Sequence, residues 1–180
     1  MTDLAGREEV EILADKDPGV GLPGRVYLPG YSRTMGPQSH LFAERERLQS
    51  LTWEYFDVKQ LSPTIGAELV GLDLSQELTD EVVSEIQQAR WDYKVIFFRN
   101  QEITSEEQLR FAQRFGELEI HPFLPPNTET PELVRFEKNA NAAGYENQWH
   151  HDVTWRETPS QGAILRAIEI PPIGGDTLFV

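Results

Sequence analysis

Glycine and proline interrupt most of the first 50 residues and break any regular apolar pattern there. Six glycines and four prolines fall within residues 1–37. Such density favours turns and extended segments over packed elements. We therefore predict a mobile Gly/Pro-rich arm over residues 1–50, with a short helix at Leu41–Leu48, and a packed domain over residues 51–180.

Composition narrows the class of protein. A chain of this length can bury one well-formed core, and a 39% hydrophobic content is ordinary for a globular domain. With 16 Lys+Arg against 30 Asp+Glu, the net charge is −14, which argues against nucleic acid or an anionic membrane as partner. No apolar run approaches 18 residues, and residues 1–17 lack the pattern of a signal peptide. We expect a cytoplasmic protein with a small-molecule partner.

The chain contains no cysteine, which excludes disulfide frameworks, thiolate zinc sites, iron–sulfur clusters and cysteine nucleophiles.

Between residues 53 and 116 the apolar periodicity predicts alternating strands and helices. Trp53–Val58 and Ala67–Leu74 alternate as half-buried strands do, and Val95–Phe98 is a continuous apolar run typical of a buried central strand. Thr79 is placed to cap a helix ending near Tyr93. Thr104 and Glu107 form a capping-box pattern for a second helix, which extends to about Phe115.

After residue 116 the sequence predicts strands and turns. Strands are predicted at residues 133–136, 149–155, 163–170 and 176–180, with a sharp turn at 171–175. Because a natural domain seldom ends inside an apolar strand, we expect the chain to be the N-terminal part of a longer domain.

Two of the four histidines lie in the sequence Trp149-His150-His151-Asp152. In a strand, residues i and i+2 point to the same face, which would set His150 beside Asp152. An imidazole and a carboxylate make up two thirds of the 2-His-1-carboxylate set that holds non-heme Fe(II). A His-x-Asp tripeptide also occurs by chance, and a zinc hydrolase could use the same pair, so the pattern alone leaves these alternatives open.

A set of motifs in a fixed order resembles the taurine dioxygenase family of Fe(II)- and 2-oxoglutarate-dependent oxygenases. The resemblance runs from about Val58 to Val180. It is carried by IGAE and GLDL (65–74), KVIFFR (94–99), FAQRFG (111–116), HP (121–122), WHHDVT (149–154), GAIL (162–165) and GGDTL (174–178).

The resemblance implies an α+β, mainly β fold: a double-stranded β-helix, or cupin-like jelly-roll, with flanking helices and an incomplete C-terminal part. It implies His150 and Asp152 as Fe(II) ligands and Thr177 as a hydrogen-bond donor to 2-oxoglutarate. His121 and Val153 would line the substrate pocket, and Asn147 lies close enough in sequence to be considered with them. The implied reaction uses O2 to hydroxylate a small organic acid and releases succinate and CO2.

The sequence departs from the family pattern in two respects. The family's second iron-binding histidine and its 2-oxoglutarate-binding arginine lie beyond residue 180, so a truncated non-catalytic fragment or a cupin-like metal-binding protein are the alternatives. Phe123-Leu124 and Tyr145-Glu146 replace polar residues that bind taurine's ammonium group. A sulfonate, an alkyl sulfate or a similar acid is therefore expected as substrate. The oligomeric state is left open, a homo-oligomer included.

Overall fold

The computed structural model describes residues 39–121, 129–137 and 149–179. Their elements, in chain order, are helix α1 (Ser39–Gln49), strands β1 (Asp57–Gln60) and β2 (Ala67–Val70), helix α2 (Asp80–Tyr93), strand β3 (Ile96–Phe97) and helix α3 (Ser105–Gln113). Among the described helices, none combines the length and apolar character needed to cross a lipid bilayer.

The three strands form one small mixed sheet in the order β1-β2-β3. β1 and β2 pair antiparallel, with Asp57 opposite Val70 and Gln60 opposite Ala67. β2 and β3 pair parallel, and α2 lies between them in the chain. Gly66, at φ +89°, precedes β2 and donates its backbone N–H to the Tyr93 carbonyl, which joins the start of the strand to the end of α2.

Both predicted helix starts are confirmed. The Thr79 hydroxyl accepts a hydrogen bond from the Val82 N–H at the start of α2. At α3, Thr104 and Glu107 form the complete capping box, in which each side chain accepts from the other's backbone N–H. These caps satisfy N–H groups that the first turn of a helix leaves without partners.

The core lies between α2, the sheet and α3. Its fully buried side chains include Ile86 and Tyr93 of α2, and Phe111 of α3 joins the same cluster. The clustered residues are Leu48, Phe56, Ala67, Leu69, Leu74, Ile86, Ala89, Tyr93 and Phe111. Phe111 meets Phe98 and Phe115 edge to face, at centroid distances of 5.7 and 5.0 Å.

Helix α1 confirms the short helix predicted at Leu41–Leu48 and packs on this core. Leu48 is 1% exposed, and Arg47 Nη1 lies 2.8 Å from Asp92 Oδ1 of α2. Residues 39–50 of the segment assigned to the arm are thus attached to the packed domain. The rest of the predicted arm, residues 1–38, lies outside the described residues.

Several strand predictions are corrected. The first strand begins at Asp57 rather than Trp53, and the apolar run Val95–Phe98 gives a two-residue strand at the sheet edge, because β2 takes the central place. Residues 133–136, 149–155, 163–170 and 176–179 form no strand. Apolar alternation records a preference for a half-buried surface, whereas a strand also needs a neighbour for its backbone hydrogen bonds.

The fold is therefore α+β, a small mixed sheet with helices packed against it. The two sheets of a jelly-roll are not seen within residues 39–121, 129–137 and 149–179.

Candidate metal centre

His150 and Asp152, the two predicted metal ligands, lie side by side. His150 Nε2 is 3.2 Å from Asp152 Oδ1, and the two side chains are 64% and 77% exposed. Donors about 2.1 Å from an octahedral ion stand about 3 Å apart when they occupy adjacent positions. The separation and chemistry of the two donors therefore fit neighbouring ligands of one divalent ion.

The two side chains lie where the chain enters a turn over residues 152–155, rather than in the predicted strand. The Arg156 N–H donates to the Val153 carbonyl at 3.2 Å, and the Thr154 hydroxyl contacts the His151 carbonyl at 3.5 Å. Val153 adopts φ +57°, a left-handed conformation that a β-branched residue rarely takes. The predicted pairing of His150 with Asp152 is thus observed, but its geometric basis differs from the one used to predict it.

A third protein ligand is not found in the described part of the chain. No group of three His, Asp or Glu side chains there is arranged to hold a metal ion. His121 accordingly does not complete a three-ligand set with His150 and Asp152. A facial site requires three ligands, and His150 with Asp152 would account for two of them.

The other sequence-predicted residues lie on exposed segments. Thr177 follows a bend at Pro172 and Ile173, within the turn predicted at 171–175, and the next two residues, Gly174 and Gly175, have φ angles of +79° and +78°. His121 is exposed at the end of the segment that follows α3. Asn147 lies outside the described residues.

Glu119 forms a cluster that the sequence did not predict. Its Oε1 lies 2.5 Å from Arg156 Nη1, and its Oε2 accepts a 2.7 Å hydrogen bond from the Ser160 hydroxyl. The Ser160 hydroxyl and the Arg156 guanidinium hold the pKa of Glu119 below its usual value, with a smaller contribution from the charge of His121. No local pattern indicates this cluster, because 37 positions separate Glu119 from Arg156.

Beyond the turn, side chains from the helical part of the domain fix the backbone. Arg90 of α2 donates to the Gln161 carbonyl at 3.0 Å, and Gln108 of α3 donates to the Ile164 carbonyl at 3.3 Å. Arg166 donates to the carbonyl of Ile103, just before α3. Residues 156–166 are thus held by side-chain contacts instead of a sheet ladder.

Two surface cavities lie away from the His150–Asp152 pair. One, of about 390 Å³, is bounded by α2, Arg114, Phe115 and Gln161. The other, of about 460 Å³, lies between the end of α1, β1 and Tyr93. None of His121, His150, Asp152, Val153 or Thr177 lines either cavity.

Comparison with known proteins relates this arrangement to one family. The family described as "Taurine catabolism dioxygenase TauD, TfdA family" matches residues 57–180. This stretch contains the His150–Asp152 pair and the Glu119 cluster.

Two curated relatives illustrate the similarity. An alkylsulfatase of Acinetobacter baylyi is 37% identical over 127 residues, which cover 70% of this chain and 39% of the relative. An alpha-ketoglutarate-dependent sulfate ester dioxygenase of Pseudomonas putida is 38% identical over 125 residues, with 68% and 40% coverage. The chain thus spans about two fifths of the length of these relatives.

Among solved structures, a taurine dioxygenase from Burkholderia xenovorans shares 40% identity with the aligned part of the chain. The superposition covers 37% of this chain and 25% of that one, with a TM-score of 0.37.

Proposed function

Since the chain belongs to the taurine catabolism dioxygenase TauD, TfdA family, we propose that it supplies the N-terminal part of an Fe(II)- and 2-oxoglutarate-dependent dioxygenase. The observation that carries the proposal is the 3.2 Å approach of His150 Nε2 to Asp152 Oδ1 inside the matched stretch. A mixed nitrogen and oxygen donor pair is the kind of set that non-heme Fe(II) oxygenases use. The cupin-like jelly-roll belongs to this proposal and not to the described fold.

His150 and Asp152 would hold the iron, and their exposure leaves room for a further ligand and for 2-oxoglutarate. When bound, the iron with 2-oxoglutarate and O2 supplies oxidising power: one oxygen atom enters the substrate as hydroxyl, and 2-oxoglutarate becomes succinate and CO2. The protein's contribution is to orient the reactants and exclude water. Thr177 would steady 2-oxoglutarate through its hydroxyl, which can both donate and accept a hydrogen bond.

The proposed substrates are sulfate esters and sulfonates. Support comes from the two relatives described above, one an alkylsulfatase and the other a sulfate ester dioxygenase. Hydroxylation of the carbon bonded to the sulfate oxygen gives a hemiacetal-like product, which releases an aldehyde and sulfate. His121 and Val153 are proposed to line the substrate side of the site, with Asn147 as a further candidate. A cytoplasmic location and a homo-oligomer stay predictions of the sequence.

Anaerobic titration with Fe(II) tests the metal site directly. We expect His150→Gln and Asp152→Asn each to weaken Fe(II) binding at least tenfold, because each removes one of two ligands. His151→Gln is the matched control, since the His151 ring contacts the Asp152 backbone carbonyl and not its carboxylate. Unchanged Fe(II) affinity in both ligand variants would refute the site.

Turnover provides the second arm of the test. When the full-length protein is supplied with Fe(II), 2-oxoglutarate and a medium-chain alkyl sulfate, succinate and sulfate should appear in equal amounts. Replacing Fe(II) with Zn(II) should abolish both products, because Zn(II) has no redox chemistry. Sulfate release with Zn(II) and without succinate would favour the hydrolase alternative.

A further inference from the structure

Glu119 links the two segments that carry the proposed site. It lies two residues before His121, and its carboxylate contacts Arg156 and Ser160, which follow Asp152 by four and eight residues. We propose that Glu119 is a positioning residue that holds the metal-binding turn against the His121 segment. The inference rests on the proposed function and assigns Glu119, Arg156 and Ser160 a role in it.

The contact is specific in geometry. Glu119 uses both carboxylate oxygens, one for the Arg156 guanidinium at 2.5 Å and one for the Ser160 hydroxyl at 2.7 Å. Charge-assisted hydrogen bonds of this kind are shorter and stronger than neutral ones. Two simultaneous contacts fix the orientation of the carboxylate, which a single exposed ion pair does not.

Arg156 connects the Glu119 contact to the turn that follows Asp152. Its backbone N–H donates to the Val153 carbonyl and closes the turn that begins directly after Asp152. Its side chain reaches Glu119 at the other end. Asp152 is therefore linked to His121 through one turn, one ion pair and the two residues that follow Glu119.

The Glu119 contact matters because the two segments that it joins have no backbone pairing. Residues 117–121 and 149–166 form no helix or strand, so no backbone ladder holds these two segments together. Arg90 and Gln108 fix the chain only from Gln161 onward. Between Asp152 and Gln161, the carboxylate of Glu119 contacts both Arg156 and Ser160 and so anchors this stretch to the segment that follows α3.

The electrostatic surroundings favour an ionised Glu119. Its contacts with Ser160 and Arg156 lower its pKa, and both partners are only partly exposed, at 38% for Glu119 and 34% for Arg156. At neutral pH Glu119 is therefore ionised and the ion pair is formed.

Three variants test the proposal on the full chain. Glu119→Gln removes the charge and keeps the shape, Arg156→Gln removes the other partner, and the exchanged pair Glu119→Arg with Arg156→Glu restores opposite charges in reversed order. Asp80→Asn is the matched control. It breaks an ion pair of the same 2.5 Å length, with Arg114, that joins α2 to the residue after α3.

The first measurement is millisecond hydrogen exchange without metal. Glu119→Gln and Arg156→Gln should each accelerate exchange about three- to tenfold in residues 150–156 and in residues 118–121, while the exchanged pair and Asp80→Asn behave as wild type. This result is independent of the proposed chemistry. Unchanged exchange in both segments overturns the proposal.

The second measurement is Mn(II) affinity. Each single variant should weaken Mn(II) binding about tenfold, as substitution of groups that orient metal ligands does, and the exchanged pair should recover most of it. Faster exchange with unaltered Mn(II) affinity would leave Glu119 a merely structural residue and so overturn its positioning role. If the wild type binds no Mn(II), the proposed function fails, and the exchange result still decides whether Glu119 joins the two segments.

Discussion

Tyr93 Oη donates a 3.2 Å hydrogen bond to the carbonyl oxygen of Leu48, although 45 positions separate the two residues. Both side chains are almost fully buried. The Leu48 carbonyl lies near the C-terminal end of α1, where helical carbonyls lack an i+4 partner, and besides the Tyr93 hydroxyl it accepts a longer bond of 3.4 Å from the Leu51 N–H. The bond from Tyr93 fastens α1 to the end of α2.

Tyr93→Phe should reduce the free energy of unfolding by about 1–2 kcal/mol, because it leaves the buried Leu48 carbonyl without this donor. Urea unfolding monitored by fluorescence measures the loss. Tyr55→Phe is the control, since Tyr55 is 41% exposed. An equal effect of both substitutions would contradict the assigned role of the Leu48 contact.

The two helix caps should differ in strength. Thr104→Ala should cost about 1 kcal/mol of stability, since it breaks a capping box in which both partners are bonded. Thr79→Ala should cost less, because the Thr79 hydroxyl accepts a single hydrogen bond of 3.4 Å. Thermal unfolding by circular dichroism compares the two variants, and a larger loss for Thr79→Ala would reverse the expected order.

Acid should weaken the attachment of α1. Hydrogen bonds from Arg47, and then from Lys94, lower the pKa of Glu44 to about 2 from its ordinary value of 4.5. A carboxyl group whose pKa is lower in the folded state stabilises that state above the unfolded pKa and loses this contribution as the pH falls through the folded value. The contribution should therefore be complete above about pH 4.5 and disappear progressively towards pH 2.

Urea unfolding at a series of pH values from 6 to 2 tests this expectation. Glu44→Gln should show a flatter decline of stability below pH 4.5 than wild type. Glu46→Gln, at an exposed position of the same helix, should retain the wild-type slope. Identical slopes for Glu44→Gln and wild type would argue against the Glu44 ion pairs with Arg47 and Lys94.

Thr177→Val should weaken 2-oxoglutarate binding and leave the His150–Asp152 pair unchanged. Loss of one hydrogen bond to a charged group, worth about 1.5 kcal/mol, corresponds to a roughly tenfold higher dissociation constant. Anaerobic titration of the Fe(II)-loaded protein with 2-oxoglutarate measures this constant, with Thr158→Val as the control. An unchanged constant would remove Thr177 from the proposed site.

Local sequence patterns predicted the helices, because the interactions that start and stabilise a helix join residues close in sequence. The helix starts at Thr79 and Thr104 follow from caps within four residues of chain, and each cap is formed as expected. Val82, Ile86, Ala89 and Tyr93 recur at helical spacing in the sequence, which predicts one apolar face for α2, and Ile86, Ala89 and Tyr93 are buried in the structure. Helical hydrogen bonds join residues four apart, so their pattern is visible in a short window.

Strand assignments after residue 130 were wrong because a strand depends on a distant partner. Ala163–Ile170 alternates as a strand would, yet Leu165 and Ile168 are 80% and 77% exposed, and no described strand lies beside them. The same limit explains β3: the apolar run Val95–Phe98 was expected at the centre of a sheet, and its place at the edge depends on how β1 and β2 pair.

The sequence by itself determined that an imidazole and a carboxylate occur two positions apart, and in the order typical of one oxygenase family. Only the tertiary structure decided how they meet: His150 contacts Asp152 where the chain enters a turn, and not along a strand. It also decided that Glu119 contacts Arg156 across 37 positions of chain. Residue spacing specifies contacts within a turn or helix, whereas contacts between distant segments depend on how the whole chain packs, which no local pattern encodes.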